Sequence, residues 1–164
     1  MNLQRGISIV VFVSLLNNAS AQDFRLGMSL TEAEVEAQRV GLQMGRVNGT
    51  DDYALSRRLN DGTYDFSGFV SFCKGRLFSR GWPLAGGFEA LTHSANELEN
   101  KYGAASLRSE SEYIAQGLLS SLTMKWRRQD GIEESLSGTT VTGGNVNAKM
   151  SVSRSFSAKS LMCL

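Results

Sequence analysis

Residues 24 to 156 run twice through one pattern, a helix followed by a meander of strands, and this repetition restricts the fold more than any other feature of the chain. The first pass covers about 24–82. It opens on Ser29-Leu30-Thr31-Glu32, a capping box in which the serine hydroxyl accepts from the Glu32 amide and the glutamate reaches back to the Ser29 amide. Leu30, Ala33, Ala37 and Val40 then recur at helical spacing, and Gly41 can end the helix. Tyr53–Leu59 reads as a strand. Asn60-Asp61-Gly62 supplies residues that accept the positive φ of a tight hairpin turn. Thr63–Cys73 alternates, which predicts Tyr64, Phe66, Val70 and Phe72 on one face, and Lys74-Gly75 turns the chain into Arg76–Trp82.

The second pass covers about 88–156, after the connector Gly81-Trp82-Pro83-Leu84-Ala85-Gly86-Gly87. Phe88, Leu91, Ala95, Leu98 and Tyr102 make an apolar helical stripe, and Gly103 stands where a left-handed C-cap belongs. A polar stretch follows that favours no state. Leu118–Arg128 then alternates, predicting Leu122, Met124 and Trp126 inward and Thr123, Lys125 and Arg127 outward. Asp130-Gly131 is a turn, and Ile132–Thr142, a Gly143-Gly144-Asn145 turn and Val146–Phe156 complete the meander. Residues 157–164 read as a tail. One-sided helices and one-sided strands are satisfied together when helices pack on one face of antiparallel sheet, so the expected class is α+β. One shared sheet and two half-sheets side by side are both consistent with the pattern.

Residues 1–21 have the grammar of a cleavable export signal: Arg5 and no acid in Met1–Gly6, an apolar run Ile7–Leu16, then Ala19-Ser20-Ala21 before Gln22. The run is shorter than the roughly 20 apolar residues of a membrane span. No cysteine lies near the junction to carry a lipid. The expected product is a periplasmic or secreted domain over 22–156 plus the tail. Of 17 Lys+Arg, removal of Arg5 leaves 16 against 16 Asp+Glu, which argues against a nucleic-acid partner. Cys73 and Cys163 are the two cysteines. An oxidising compartment favours their pairing, which in the chain-entropy model would add roughly 4 kcal/mol. The alternative is two unpaired thiols, one in a strand and one in the tail.

Phe24-Arg25-Leu26-Gly27-Met28-Ser29, followed by a helix with Val35 and then Gly41, resembles the opening of the SmpA/OmlA-type outer-membrane-assembly proteins. Phe72…Lys74-Gly75-Arg76-Leu77 resembles their hairpin. The tandem layout is similar to the β-lactamase-inhibitor-protein fold. The chain departs from the assembly lipoproteins in lacking a lipidated cysteine, and no functional motif of either group carries over to its residues. Proteins of these folds work by binding other proteins, so the resemblance implies a contact function with an envelope or extracellular protein.

Chemistry-bearing residues are sparse. His93, the one histidine, stands four residues before Glu97 on the polar side of the second helix; a stable metal site needs three or four ligands, and a solvated surface pair is the simpler reading. No nucleophile-elbow motif accompanies it. Neither a catalytic set nor a cofactor or metal site is expected. Three residues stand out for binding. Lys125 and Arg127 share a strand face and could grip an acidic partner or a phosphate. Trp82 could anchor a contact or close the core. The leading expectation is a non-enzymatic binding or accessory protein of the cell envelope. A small-ligand module using the space between sheet and helices comes second, and an enzyme third.

Overall fold

The computed structural model describes residues 21–114, 117–142 and 150–163. The expected export signal, apart from Ala21, and the expected Gly143-Gly144-Asn145 turn lie outside the described residues. The chain enters through a short 3-10 turn, Ala21–Asp23, whose Ala21 is buried against Gly68. Helix α1 (Leu30–Arg39) starts at the capping box. Ser29 Oγ accepts from the Glu32 amide at 3.3 Å, and the Ser29 amide donates to Glu32 Oε2 at 2.7 Å. Those bonds, the backbone one foremost, hold the Glu32 carboxyl below the usual carboxylate range. Gly41, at φ +72°, turns the chain away after α1.

Strands β1 (Gln43–Arg46), β2 (Asp52–Arg58), β3 (Tyr64–Cys73) and β4 (Arg76–Leu84) then form a meander. The β3–β4 turn places Lys74 at φ +50° and Gly75 at φ +73°, the two positive values of a type I′ turn. Helix α2 (Gly87–Tyr102) crosses back over the sheet. Strands β5 (Ser106–Ile114), β6 (Gly117–Arg127), β7 (Glu133–Thr142) and β8 (Ser151–Ser157) follow, and a single helical turn, α3 (Lys159–Met162), ends the described chain. All eight strands belong to one antiparallel sheet in the order β1-β2-β3-β4-β8-β7-β6-β5. The two halves therefore share a sheet. They are joined where β8, the last strand, pairs with β4 from Ser79↔Ser157 to Leu84↔Val152. No helix among the described residues is long and apolar enough to cross a membrane.

Both long helices lie on the same face. Under α1, Ala33 and Ala37 meet Leu55, Val70, Phe72 and Leu77. Under α2, Leu91 and Leu98 meet Trp126, Leu136 and Val152, and Leu84 touches both clusters. These two clusters pack the space between sheet and helices. Trp126 is fixed further by its indole N–H, which donates to the Gly103 carbonyl at 3.0 Å.

Several sequence expectations need correction. Tyr64 and Phe66 do not share a face with Val70 and Phe72. Gly68 pairs with Leu55 and Phe66 with Ser56, so a bulge at Ser67 turns the first part of β3 over and leaves both aromatic rings exposed. Phe88 is 66% exposed, because α2 begins on a loop leaving β4 and its stripe meets the sheet only from Leu91 onward. The polar stretch after Gly103 is β5, an edge strand on which every residue but Ile114 is exposed. The supposed connector at Gly81–Leu84 is the end of β4. The supposed tail is docked: the buried Ala158 donates its amide to the Phe78 carbonyl at 2.7 Å.

Candidate functional site

Across β6, β7 and β8 the sheet face opposite the helices carries many small hydroxyl groups. Cross-strand register puts Ser79 beside Ser157, Ser157 beside Glu133, Ser155 beside Ser135, Ser135 beside Lys125, Ser153 beside Ser137, and Ser137 beside Thr123. The hydroxyls bridge the strands, Ser135 Oγ to Ser155 Oγ at 2.8 Å and Thr123 Oγ1 to Ser137 Oγ at 3.1 Å. The origin of this surface is simple. In β6, β7 and β8 the inward positions serve mainly the core, and the outward ones include Ser121 and Thr123, Ser135, Ser137 and Thr139, and every outward residue of β8 from Ser151 to Ser157.

At the end of this face nearest α3 the floor deepens into a groove of about 560 Å³. Ser135, Ser155 and Ser157 form its bottom. Lys125 and Arg127 from β6 and Lys159 from α3 stand around it, with Glu133 as the one acid. Lys125 Nζ donates to Glu133 Oε1 at 2.8 Å, both side chains about two-fifths exposed, so this pair is a screened surface pair of small worth. Arg127 and Lys159 have no ion-pair partner among the described residues. The groove thus holds two more positive charges than negative ones, over a floor that can both donate and accept hydrogen bonds. Cys163 closes one side. Both cysteines are free and half-buried. Burial first, then the Cys73 thiol, pushes the Cys163 thiol above the ordinary thiol range, with Lys159 and Lys74 acting weakly the other way.

The residues singled out from sequence thus separate. Lys125 and Arg127 lie together in the groove. Trp82 lies on the opposite face, buried, its ring stacked on Phe156 at 5.5 Å between centroids, where it closes the core at the seam and offers no contact anchor. His93 is exposed on α2, beside Ala85, Gly86 and Glu89, while Glu97 reaches Arg154 Nη1 at 3.7 Å. Among the described residues no three of His, Cys, Asp and Glu converge.

Sequence reading missed two groups. Lys159 was assigned to a loose tail, and nothing in Ser157–Leu164 announces a helix that docks. The second is the seam between the two core clusters. There Arg80 lies over the Trp82 and Phe156 rings at 5.7 and 5.3 Å, and Arg154 over Phe156 at 5.8 Å. Arg154 Nε donates to Oε1 of the buried Glu134 at 2.6 Å. Arg80 Nη1 donates to the Gln22 and Phe24 carbonyls, and burial pulls its guanidinium below the ordinary value. The signal for this cluster was Glu134 itself, an acid at a position that alternation sends inward.

No protein-family model, curated protein or solved structure matches the chain.

Proposed function

We propose that this chain is an exported, non-enzymatic binding protein of the cell envelope, and that it takes an acidic segment of a partner protein into the groove at Lys125, Arg127 and Lys159. One observation carries the reading. Three cations from two separate elements converge over a hydroxyl-lined floor, on the sheet face that neither long helix covers. An acidic, extended segment complements this surface. Its carboxylates would meet Arg127 and Lys159, whose charges are unanswered among the described residues, and its backbone would meet the serine hydroxyls. The export-signal grammar of residues 1–21 and the resemblance to contact-making envelope proteins point the same way.

The test is binding of poly-glutamate, and of partners captured by cross-linking in the native envelope, to the native chain and to a Lys125→Glu/Arg127→Glu variant. Binding that weakens as salt rises and disappears in the variant is expected, because groove charges drive encounter. Equal binding by both proteins would reject the groove as the contact site. Tight binding of a small anion that poly-glutamate cannot displace would favour a small-ligand module at the same place.

A further inference from the structure

The C-terminal turn that forms one wall of the groove is held by few contacts. Helix α3 spans four residues, too short to persist alone in water. The Ala158 amide bonded to the Phe78 carbonyl ties its start to β4, and the Met162 side chain reaches within van der Waals range of Gly27. The Cys163 amide donates to the Lys159 carbonyl at 3.0 Å, closing the turn, and Cys163 lines the groove beside Ser157 and Lys159. Cys73 is the last residue of β3, opposite Arg76 and one residue before the I′ turn, a rigid position. Gly27, beside Met162, donates its amide to the Leu77 carbonyl at 2.7 Å, so the residue after Met162, Cys163, comes to the start of β4, where Arg76 pairs with Cys73. Residues 90 positions apart are thus brought to the same corner of the sheet by a docked α3, and the partly exposed surface of each lets a small disulfide reach them.

We propose that Cys73 and Cys163 form a reversible disulfide that locks α3 onto the β3–β4 turn and fixes the groove wall that carries Lys159. The chemistry is thiol–disulfide exchange with an oxidised low-molecular-weight or protein disulfide. The thiolate of one cysteine attacks an oxidant sulfur and expels the oxidant's other sulfur as a thiolate. The second cysteine thiolate then attacks the mixed disulfide and expels the remaining oxidant sulfur. Two protein thiols are oxidised to one disulfide, and one oxidant disulfide is reduced to two thiols. Neither Lys74 nor Lys159, the cations nearest Cys163, obstructs the step, since each favours the thiolate. The role of the lock in binding rests on the groove reading above; the bond and the locking of α3 do not.

The experiment treats the full chain with oxidised glutathione, then with dithiothreitol. The oxidised monomer should lose both alkylatable thiols and two hydrogens of mass, and the reductant should restore them. Cys73→Ser and Cys163→Ser should each keep a single thiol that ends as a glutathione adduct. Limited trypsin, read by mass after reduction, should cut after Lys159 about tenfold more slowly in the oxidised protein than in the reduced one, because a locked terminus opens less often. Persistence of two free thiols, or disulfides only between chains, would overturn the bond. Equal cutting at Lys159 in both states would overturn the lock. Poly-glutamate should bind several-fold more tightly to the oxidised chain. If poly-glutamate binds neither form while thiol loss and trypsin protection both occur, the groove reading fails and the lock stands.

Discussion

The two faces of the one sheet are built from the same strands and obey opposite rules. On the helix face, alternate residues of β6 to β8 are Met124, Trp126, Glu134, Leu136, Val152 and Arg154, and burial demands that each be packed or paired. On the open face, their neighbours Thr123, Ser135, Ser137, Ser153 and Ser155 face solvent as one polar surface. The contrast separates what keeps the chain folded from what remains available for contact. An apolar open face would have been a permanent interface or an aggregation hazard, whereas serine and threonine hydroxyls can bond to water.

The sharpest way to break this contrast is at Glu134, the polar exception on the packed side. Glu134→Ala leaves Arg154 beside the apolar seam with the longer contact to Glu97 as its remaining ion pair, and stability should fall by about 3 kcal/mol in urea denaturation. Glu134→Leu combined with Arg154→Met should recover most of that loss. No recovery would mean that the pair organises the seam beyond its own charges. Next comes Leu98, fully buried on α2: Leu98→Ala should cost about 2–5 kcal/mol through lost transfer energy and the cavity left. His93→Ala, on the exposed side of the same helix, should stay within about 0.5 kcal/mol. Equal effects from the two would overturn the assignment of faces on α2.

Gly81 is where the open face behaves like a core. A Cβ there would stand 2.5 Å from the Phe69 ring and 2.9 Å from the Ser155 Cβ, because the ring lies across the glycine. Gly81→Ala should destabilise by about 1–3 kcal/mol, the usual cost of overpacking. A neutral result would show that Phe69 moves freely on that face. Ser153→Ala and Lys125→Ala should each change the unfolding free energy by less than about 0.5 kcal/mol, while only the lysine variant loses affinity for poly-glutamate. The smallest effect concerns acid. Glu32 titrates lower folded than unfolded, so its contribution is present above the unfolded value and vanishes as pH falls through the folded one. Glu32→Gln should flatten that part of the acid limb, lowering stability slightly at neutral pH and leaving it unchanged below the folded-state value, as read by urea denaturation across pH.

Much of this was legible from residue order because the interactions are local. The capping box specifies where α1 starts, Gly103 where α2 stops, and the alternation of Leu118–Arg128 which side of β6 is wet. Lys125 and Arg127 were visible for the same reason. What escaped depends on contacts between distant segments. The Ser67 bulge is set by how β3 meets β2, so a strict period of two misassigned Tyr64 and Phe66. Strand β5 buries neither face and so prints no apolar rhythm; it exists because β6 offers it a hydrogen-bonding edge. Trp82 and Pro83 looked like a linker because turn residues follow them, yet β8 pairs with both. Lys159 joins the groove only because α3 docks, and the docking partners belong to β4 and to the Gly27 region.

The place of β8 has a kinetic consequence. Every other strand pairing in the sheet joins sequence neighbours, so each meander can close through short loops, whereas the β4–β8 seam must wait for a contact across some 70 residues of chain. During synthesis the first meander can assemble with β4 as a bare edge, and it keeps that edge until the last strand has emerged. A chain stopped before Ser151 would leave one edge of β4 and one edge of β7 unpaired, two adhesive borders in place of one continuous sheet, and association between copies along those borders is its expected fate.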